Sequence, residues 1–129
     1  MARKINDIKV SKDFKLYEFE CHDGNHEVKI DPELVEKLQK LRDLVKKPII
    51  INSGYRTPDY NKKIGGVPNS QHIQGKASDI VIKGYTPEQV KVLAKKVGFR
   101  GLGLYDNFTH VDVRATPSEW DYRGNKGNE

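Results

Sequence analysis

Ser70-Gln71-His72-Ile73-Gln74-Gly75-Lys76-Ala77-Ser78-Asp79-Ile80-Val81-Ile82 is a loop that runs into a strand. Pro68-Asn69 before it and Gly75 within it interrupt regular structure, so His72 belongs to an irregular loop. Asp79-Ile80-Val81-Ile82 is β-branched and reads as a buried strand. A spacing of seven residues lets the loop turn back on the strand, so that His72 and Asp79 reach one point. Gly75 and Ala77 keep the intervening backbone small and pliable. About thirty residues on, Thr109-His110-Val111-Asp112-Val113-Arg114 alternates: His110, Asp112 and Arg114 share one face, Val111 and Val113 the other. The chain therefore offers two imidazoles and a carboxylate, His72, Asp79 and His110, to one metal ion. Three protein ligands of this type with a fourth position open to water are the usual set of a catalytic zinc. Other divalent ions suit the same donors, and zinc is preferred on its chemistry.

Working outward, Asp31-Pro32-Glu33 is a helix start, and Leu34, Val35, Leu38, Leu41 and Val45 then recur at helical spacing. A helix is expected from about 32 to 46, ended by Pro48. Ile49-Ile50-Ile51 reads as a short strand that delivers Ser53-Gly54-Tyr55-Arg56 to its end. Thr57-Pro58-Asp59 and Thr86-Pro87-Glu88 open two further helices, to about Lys63 and Val97. Gly101 to Tyr105 and Thr109 to Val113 form a hairpin across Asp106-Asn107-Phe108. The class is α+β: a small antiparallel sheet with helices packed on it and the site in a cleft above the sheet. Residues 1–122 are expected to make a single domain and 123–129 a disordered tail.

The 129 residues suffice for one core. Hydrophobic residues make up 36% of the chain and charged residues 32%, and no apolar run approaches the roughly 18 residues of a membrane span. The N-terminus lacks the apolar stretch of a secretory signal, so synthesis in the cytoplasm without a signal peptide is expected. Cys21 is the only cysteine, which rules out an internal disulfide. A net charge of +5 suits a polyanionic partner, although lysines scattered over helix faces equally describe a solvated surface. No recognition motif or aromatic-studded basic strand supports nucleic-acid binding.

Ser-Gly-Tyr-Arg at 53–56, Ser-x-His-x-x-Gly-x-Ala-x-Asp at 70–79, and Gly-Leu-Gly-Leu-Tyr followed by His-Val-Asp-Val-Arg over 101–114 together resemble the zinc D-alanyl-D-alanine carboxypeptidase family. That group includes VanX-type dipeptidases and L-alanyl-D-glutamate endolysin peptidases, and shares its metal site with lysostaphin-type peptidases and the hedgehog domain. The resemblance runs from Phe14-Lys15-Leu16-Tyr17-Glu18-Phe19 to about Arg114. It implies a hedgehog-like or D-Ala-D-Ala-peptidase-like fold and one zinc per chain on His72, Asp79 and His110. It also implies Arg56 holding substrate and stabilising the oxyanion, and Ser70 near the substrate. The implied substrates are peptidoglycan stem peptides or their precursors, cut by a monomer acting on the bacterial cell wall, in endolysin fashion or on wall turnover peptides.

The general base departs from part of that pattern. VanX-type members carry an acid three residues before the last zinc-binding histidine, and Asn107 stands there. Asp112, on the face of His110, is the expected base, with orientation of His110 as its other reading; Asp106 is the alternative base. Asn107 also keeps open a second function, a zinc-containing binding module of the same fold that does not hydrolyse. Cys21-His22-Asp23-Gly24-Asn25-His26 lacks the paired spacing of a zinc site. Gly101-x-Gly103 opens no helix and is no phosphate loop.

Overall fold

A computed structural model of the chain describes residues 5–124. Helix α1 (Pro32–Val45) starts where the Asp31 side chain accepts from the Glu33 amide at 2.8 Å, with Pro32 in the first turn. It buries Leu34, Val35, Leu38, Leu41 and Val45, the residues at helical spacing. Strand β1 (Ile49–Ser53), helix α2 (Pro58–Lys63), strand β2 (Ala77–Ile82), helix α3 (Pro87–Lys96) and the strands β3 (Gly101–Leu104), β4 (Thr109–Asp112) and β5 (Ser118–Asp121) follow. Thr57 and Thr86 cap α2 and α3 by accepting from the Tyr60 and Gln89 amides. Among the described residues no helix is long and apolar enough to cross a membrane.

The five strands form one sheet in the order β1-β2-β4-β3-β5. The α+β class is as expected, and the first three pairings are antiparallel. The fourth is not: β5 lies parallel to β3, so the sheet is mixed. Ser118-Glu119-Trp120-Asp121 is short and polar and has no strand signature of its own; it is a strand because β3 offers it an open edge. A second difference is local. The stretch expected to be irregular around His72 is a 3-10 turn, Gln71–Gln74, which Ser70 Oγ caps by accepting from the His72 amide at 3.2 Å and Gly75 closes in left-handed conformation. Of the tail expected to be disordered, residues from 125 lie outside those described, while Arg123 pairs with Asp121 and Glu88.

One face of the sheet makes the core. Ile80, Ile82, Leu102, Val111 and Val113 pack with Leu34, Leu38 and Leu41 of α1, Val90 and Ala94 of α3, and Phe14, Phe19 and Phe99. The opposite face carries the chemistry. Cross-strand partners share a face, and the register places Ser53, Asp79, His110, Gly103 and Trp120 in one row across all five strands. A bulge between Ile51 and Ser53 brings Ser53 opposite Asp79. Ala77, Asp112, Gly101 and Ser118 form the next row.

Arg100 fixes the chain where it leaves β4. Its guanidinium grips Glu33 at 2.7 and 2.9 Å and donates to the carbonyls of Val113, at 2.8 Å, and Arg114. The hydrogen bond from Arg100 outweighs the opposing effect of burial and pulls the Glu33 carboxyl from its ordinary 4.5 to about 2. A carboxyl lowered on folding stabilises the fold above its unfolded value and ceases to as the pH falls through its folded one. Glu33→Gln is therefore expected to melt below wild type at pH 6, with the gap closing between pH 4.5 and 2. Thermal melts across that range check this, and a gap that does not close in acid would show that the stabilisation does not come from the ionised Glu33 carboxyl.

Candidate metal centre

His72 Nε2, Asp79 Oδ1 and His110 Nδ1 converge on one point. Asp79 Oδ1 lies 3.3 Å from His72 Nε2 and 3.1 Å from His110 Nδ1, and all three ligand atoms fall within 4.8 Å of one another. The residues are 0%, 3% and 1% exposed, so these polar atoms have almost no access to water that would offset their mutual repulsion. Among the described residues no other group of three His, Cys, Asp or Glu side chains is so placed. The Cys21–His26 stretch does not gather: Cys21 is buried near Thr57, and His26 turns to Glu20 at 3.0 Å.

The partners of each imidazole decide which nitrogen can bind a cation. His72 Nδ1 stands 2.7 Å from the Gly54 carbonyl, which can only accept, so Nδ1 carries the proton and Nε2 presents its lone pair to Asp79. His110 is held the other way round. Its Nε2 is 2.7 Å from Asp112 Oδ2, leaving Nδ1 to face Asp79. Burial alone pushes the Asp112 carboxyl up, but hydrogen bonds from His110 and Arg114 outweigh it and hold the group well below the usual carboxylate range, as an acceptor. Two lone pairs and a carboxylate oxygen thus point at one another, an arrangement that needs a cation between them. Two imidazole nitrogens and one carboxylate oxygen are the donor set of a zinc site with a position to spare, and the residues present fit that ion.

Behind these ligands stand residues that fix them. Arg56, 5% exposed, donates from Nε to Ser53 Oγ at 3.2 Å, from Nη1 to Asn61 Oδ1 at 3.2 Å and from Nη2 to Asp79 Oδ2 at 3.3 Å. Its own amide donates to the His72 carbonyl at 3.1 Å, joining the end of β1 to the turn that carries His72. Asn61 on α2, also buried, ties this group to the loop before Ser70 by donating to the Val67 carbonyl at 2.8 Å. Glycines make room on the other side. A Cβ at Gly101 would fall within the Asp112 carboxylate, and one at Gly103 would lie 2.5 Å from the Trp120 indole. With that space open, Trp120 reaches over β3 to sit with its ring centroid 5.0 Å from that of His110.

A cleft of about 210 Å³ opens at His110 and is lined by Val67, Asn69, Ser70, Gln71, Arg114, Trp120 and Tyr122. The residues expected at the site divide accordingly. His72, Asp79 and His110 come together, and Ser70 lines the cleft. Arg56 stands behind Asp79 and is absent from the cleft wall. Asp112 is on the face of His110 as alternation requires, but is fully buried, its oxygens directed to His110 and Arg114. Asp106 accepts from the Gly124 amide at 3.0 Å and borders a separate hollow with Thr86 and Arg123. Asn61, Trp120 and the Gly54 carbonyl escaped the sequence reading; the alternate glycines of β3, opposite a His-x-Asp strand, were the one available signal.

Asp112 in this position predicts a positioning effect. Asp112→Asn should weaken zinc affinity by about 10- to 100-fold, as loss of a carboxylate behind a histidine ligand typically does, measured by competition with a chelator. Unchanged affinity would remove Asp112 from the support of His110.

Residues 12–112 match the family model described as peptidase M15. The chain is 35% identical over 95 residues to the probable peptidoglycan L,D-endopeptidase MepK of Haemophilus influenzae, covering 66% of this chain and 51% of that protein. It is 42% identical over 45 residues to the zinc D-Ala-D-Ala carboxypeptidase of Streptomyces albus G, covering 34% of this chain and 18% of that one. The chain thus spans about half the length of the first relative and less than a fifth of the second.

Proposed function

Because the chain belongs to the peptidase M15 family, we propose that it is a zinc metallopeptidase that hydrolyses D-amino-acid-containing peptide bonds in the stem peptides of peptidoglycan. The observation that carries this reading is the convergence of His72 Nε2, Asp79 Oδ1 and His110 Nδ1 beside a cleft. Both relatives support the substrate class, since one is named as a peptidoglycan endopeptidase and the other as a D-Ala-D-Ala carboxypeptidase.

Zinc bound there supplies Lewis acidity that activates water near neutral pH and polarises the scissile carbonyl. The chain's own residues supply placement. The Gly54 carbonyl and Asp112 lock the two imidazoles in the tautomers that leave Nε2 of His72 and Nδ1 of His110 as ligands. Arg56 holds Asp79 so that one of its oxygens serves the metal while the other is spent on the guanidinium. Ser70, Asn69 and Gln71 offer hydroxyl and amide groups to a peptide backbone, and Val67, Trp120 and Tyr122 give it an apolar wall.

A second reading draws on one observation: among the described residues no carboxylate lines the cleft, and Asn107 stands where VanX-type enzymes have an acid. A zinc-containing binding module of this fold has no need of a general base. The experiment that decides is incubation of the zinc-loaded protein with stem peptides ending in D-Ala-D-Ala and with L,D-crosslinked fragments, products identified by mass spectrometry. Cleavage that a chelator stops, and zinc restores, is the expected result. Stoichiometric zinc with every peptide intact would favour the binding module.

A further inference from the structure

Arg56 is spent on Asp79, Asn61 and Ser53, so the guanidinium at the cleft wall is a different one, Arg114. Its geometry is prepared rather than mobile. Nε lies 2.9 and 3.1 Å from the two Asp112 oxygens, Nη2 is 2.7 Å from Oδ2, and the Arg114 amide is 3.1 Å from Oδ1. The guanidinium carbon sits 5.0 Å from the centroid of the Trp120 ring. Arg100, itself held by Glu33, donates to the backbone carbonyls of Val113 and Arg114 from behind. Nη1 has no hydrogen-bond partner among the described residues, while the side chain as a whole is 26% exposed. A fixed guanidinium with a donor edge unspent, at the wall of a cleft, is built to receive an anion.

Charge at the site points the same way. Arg56 offsets Asp79 and Arg114 offsets Asp112, so a bound divalent ion brings charge that the cluster itself does not cancel. Among the described residues that line the cleft, Arg114 is the one Arg or Lys, and none is a carboxylate that would compete with an incoming one. Trp120 adds a flat surface next to His110 on which the carbon frame of the ligand can rest. A carboxylate is the anion that a peptide carries.

We propose that Arg114, steadied by Asp112 and Trp120, binds a carboxylate of the peptide substrate in the cleft beside the metal, and that the protein prefers peptides with a free carboxylate there. This rests on the peptidase reading for its substrate class. The carboxylate comes either from the chain terminus or from an acidic side chain, and the same chemistry serves both.

The test uses the full zinc-loaded chain and three versions of one stem peptide: the free acid, its C-terminal amide, and the form with its acidic side chain amidated. Wild type is expected to favour the free acid over one of the two amides by about 10- to 100-fold, the value of one charge-assisted hydrogen bond, chiefly in KM; the amide that suffers names the source. Arg114→Gln should collapse that ratio towards one, and Arg114→Lys, which keeps a cation but loses the planar fork, should retain part of it. If wild type does not discriminate, or if Arg114→Gln lowers acid and amide equally, Arg114 acts only through Asp112 and the proposal falls. Calorimetric titration of the same three peptides reads the same ratio without hydrolysis. A protein that binds acid over amide but cuts nothing would overturn the peptidase reading while upholding the carboxylate site.

Discussion

Replacing His72 with alanine is expected to abolish stoichiometric zinc binding and to lower peptide hydrolysis by roughly a thousandfold or more. The metal contributes several kcal/mol of transition-state stabilisation, and each ~1.4 kcal/mol is a factor of ten in rate. His72 has no substitute nearby, because no other cluster of three ligands exists among the described residues. The side chain is fully buried, and its loss also strands the Gly54 carbonyl that accepts its proton, so the variant should be less stable by about 1–3 kcal/mol even without metal. Melts with and without chelator separate the effects. Zinc at a thousand times its dissociation constant should add about 4 kcal/mol to wild type and nothing to the variant. Zinc-dependent stabilisation surviving in His72→Ala would place the ion elsewhere.

The second large effect is expected at Arg56. Arg56→Ala removes a guanidinium that meets Asp79, Asn61 and Ser53 in a nearly dry environment, leaving a buried carboxylate without its cation. Breaking one side of such a pair costs about 3–5 kcal/mol, and the metal-free protein should lose that amount in denaturant unfolding. Bound zinc gives Asp79 another cation, so the loss should shrink when the site is filled. Arg56→Lys should recover only part of the stability, since an ammonium cannot span three acceptors that a planar fork reaches at once. A loss that is the same with and without zinc would separate Arg56 from the metal centre.

Much of the site was legible because it depends on period and spacing. Alternation placed His110 and Asp112 on the face opposite Val111 and Val113, and the β-branched run Asp79-Ile80-Val81-Ile82 announced the strand, which begins two residues earlier at Ala77 and sets Asp79 beside His110. The helices were legible from their caps, Asp31, Thr57 and Thr86, which act locally. What was not legible depends on distant contacts. The group that orients His72 is a backbone carbonyl, which no residue type announces. Asn61 and Trp120 join the site only once α2 and β5 are docked, and β5 exists only through its parallel pairing with β3. The part played by Asp112 turns on a side-chain rotation. Alternation says which face the carboxylate is on, but only the space opposite, at Gly101, lets it lie against His110 Nε2 and Arg114.

The most direct test of the account is a crystal structure of the zinc-loaded protein with anomalous data collected at the zinc edge. The account predicts one strong peak within about 2.0–2.2 Å of His72 Nε2, His110 Nδ1 and an Asp79 oxygen, with the Asp112 carboxylate on His110 Nε2 and out of the coordination sphere. A peak bound through His110 Nε2, a ligand contributed by Asp112, or a zinc ion held away from these three residues would contradict it.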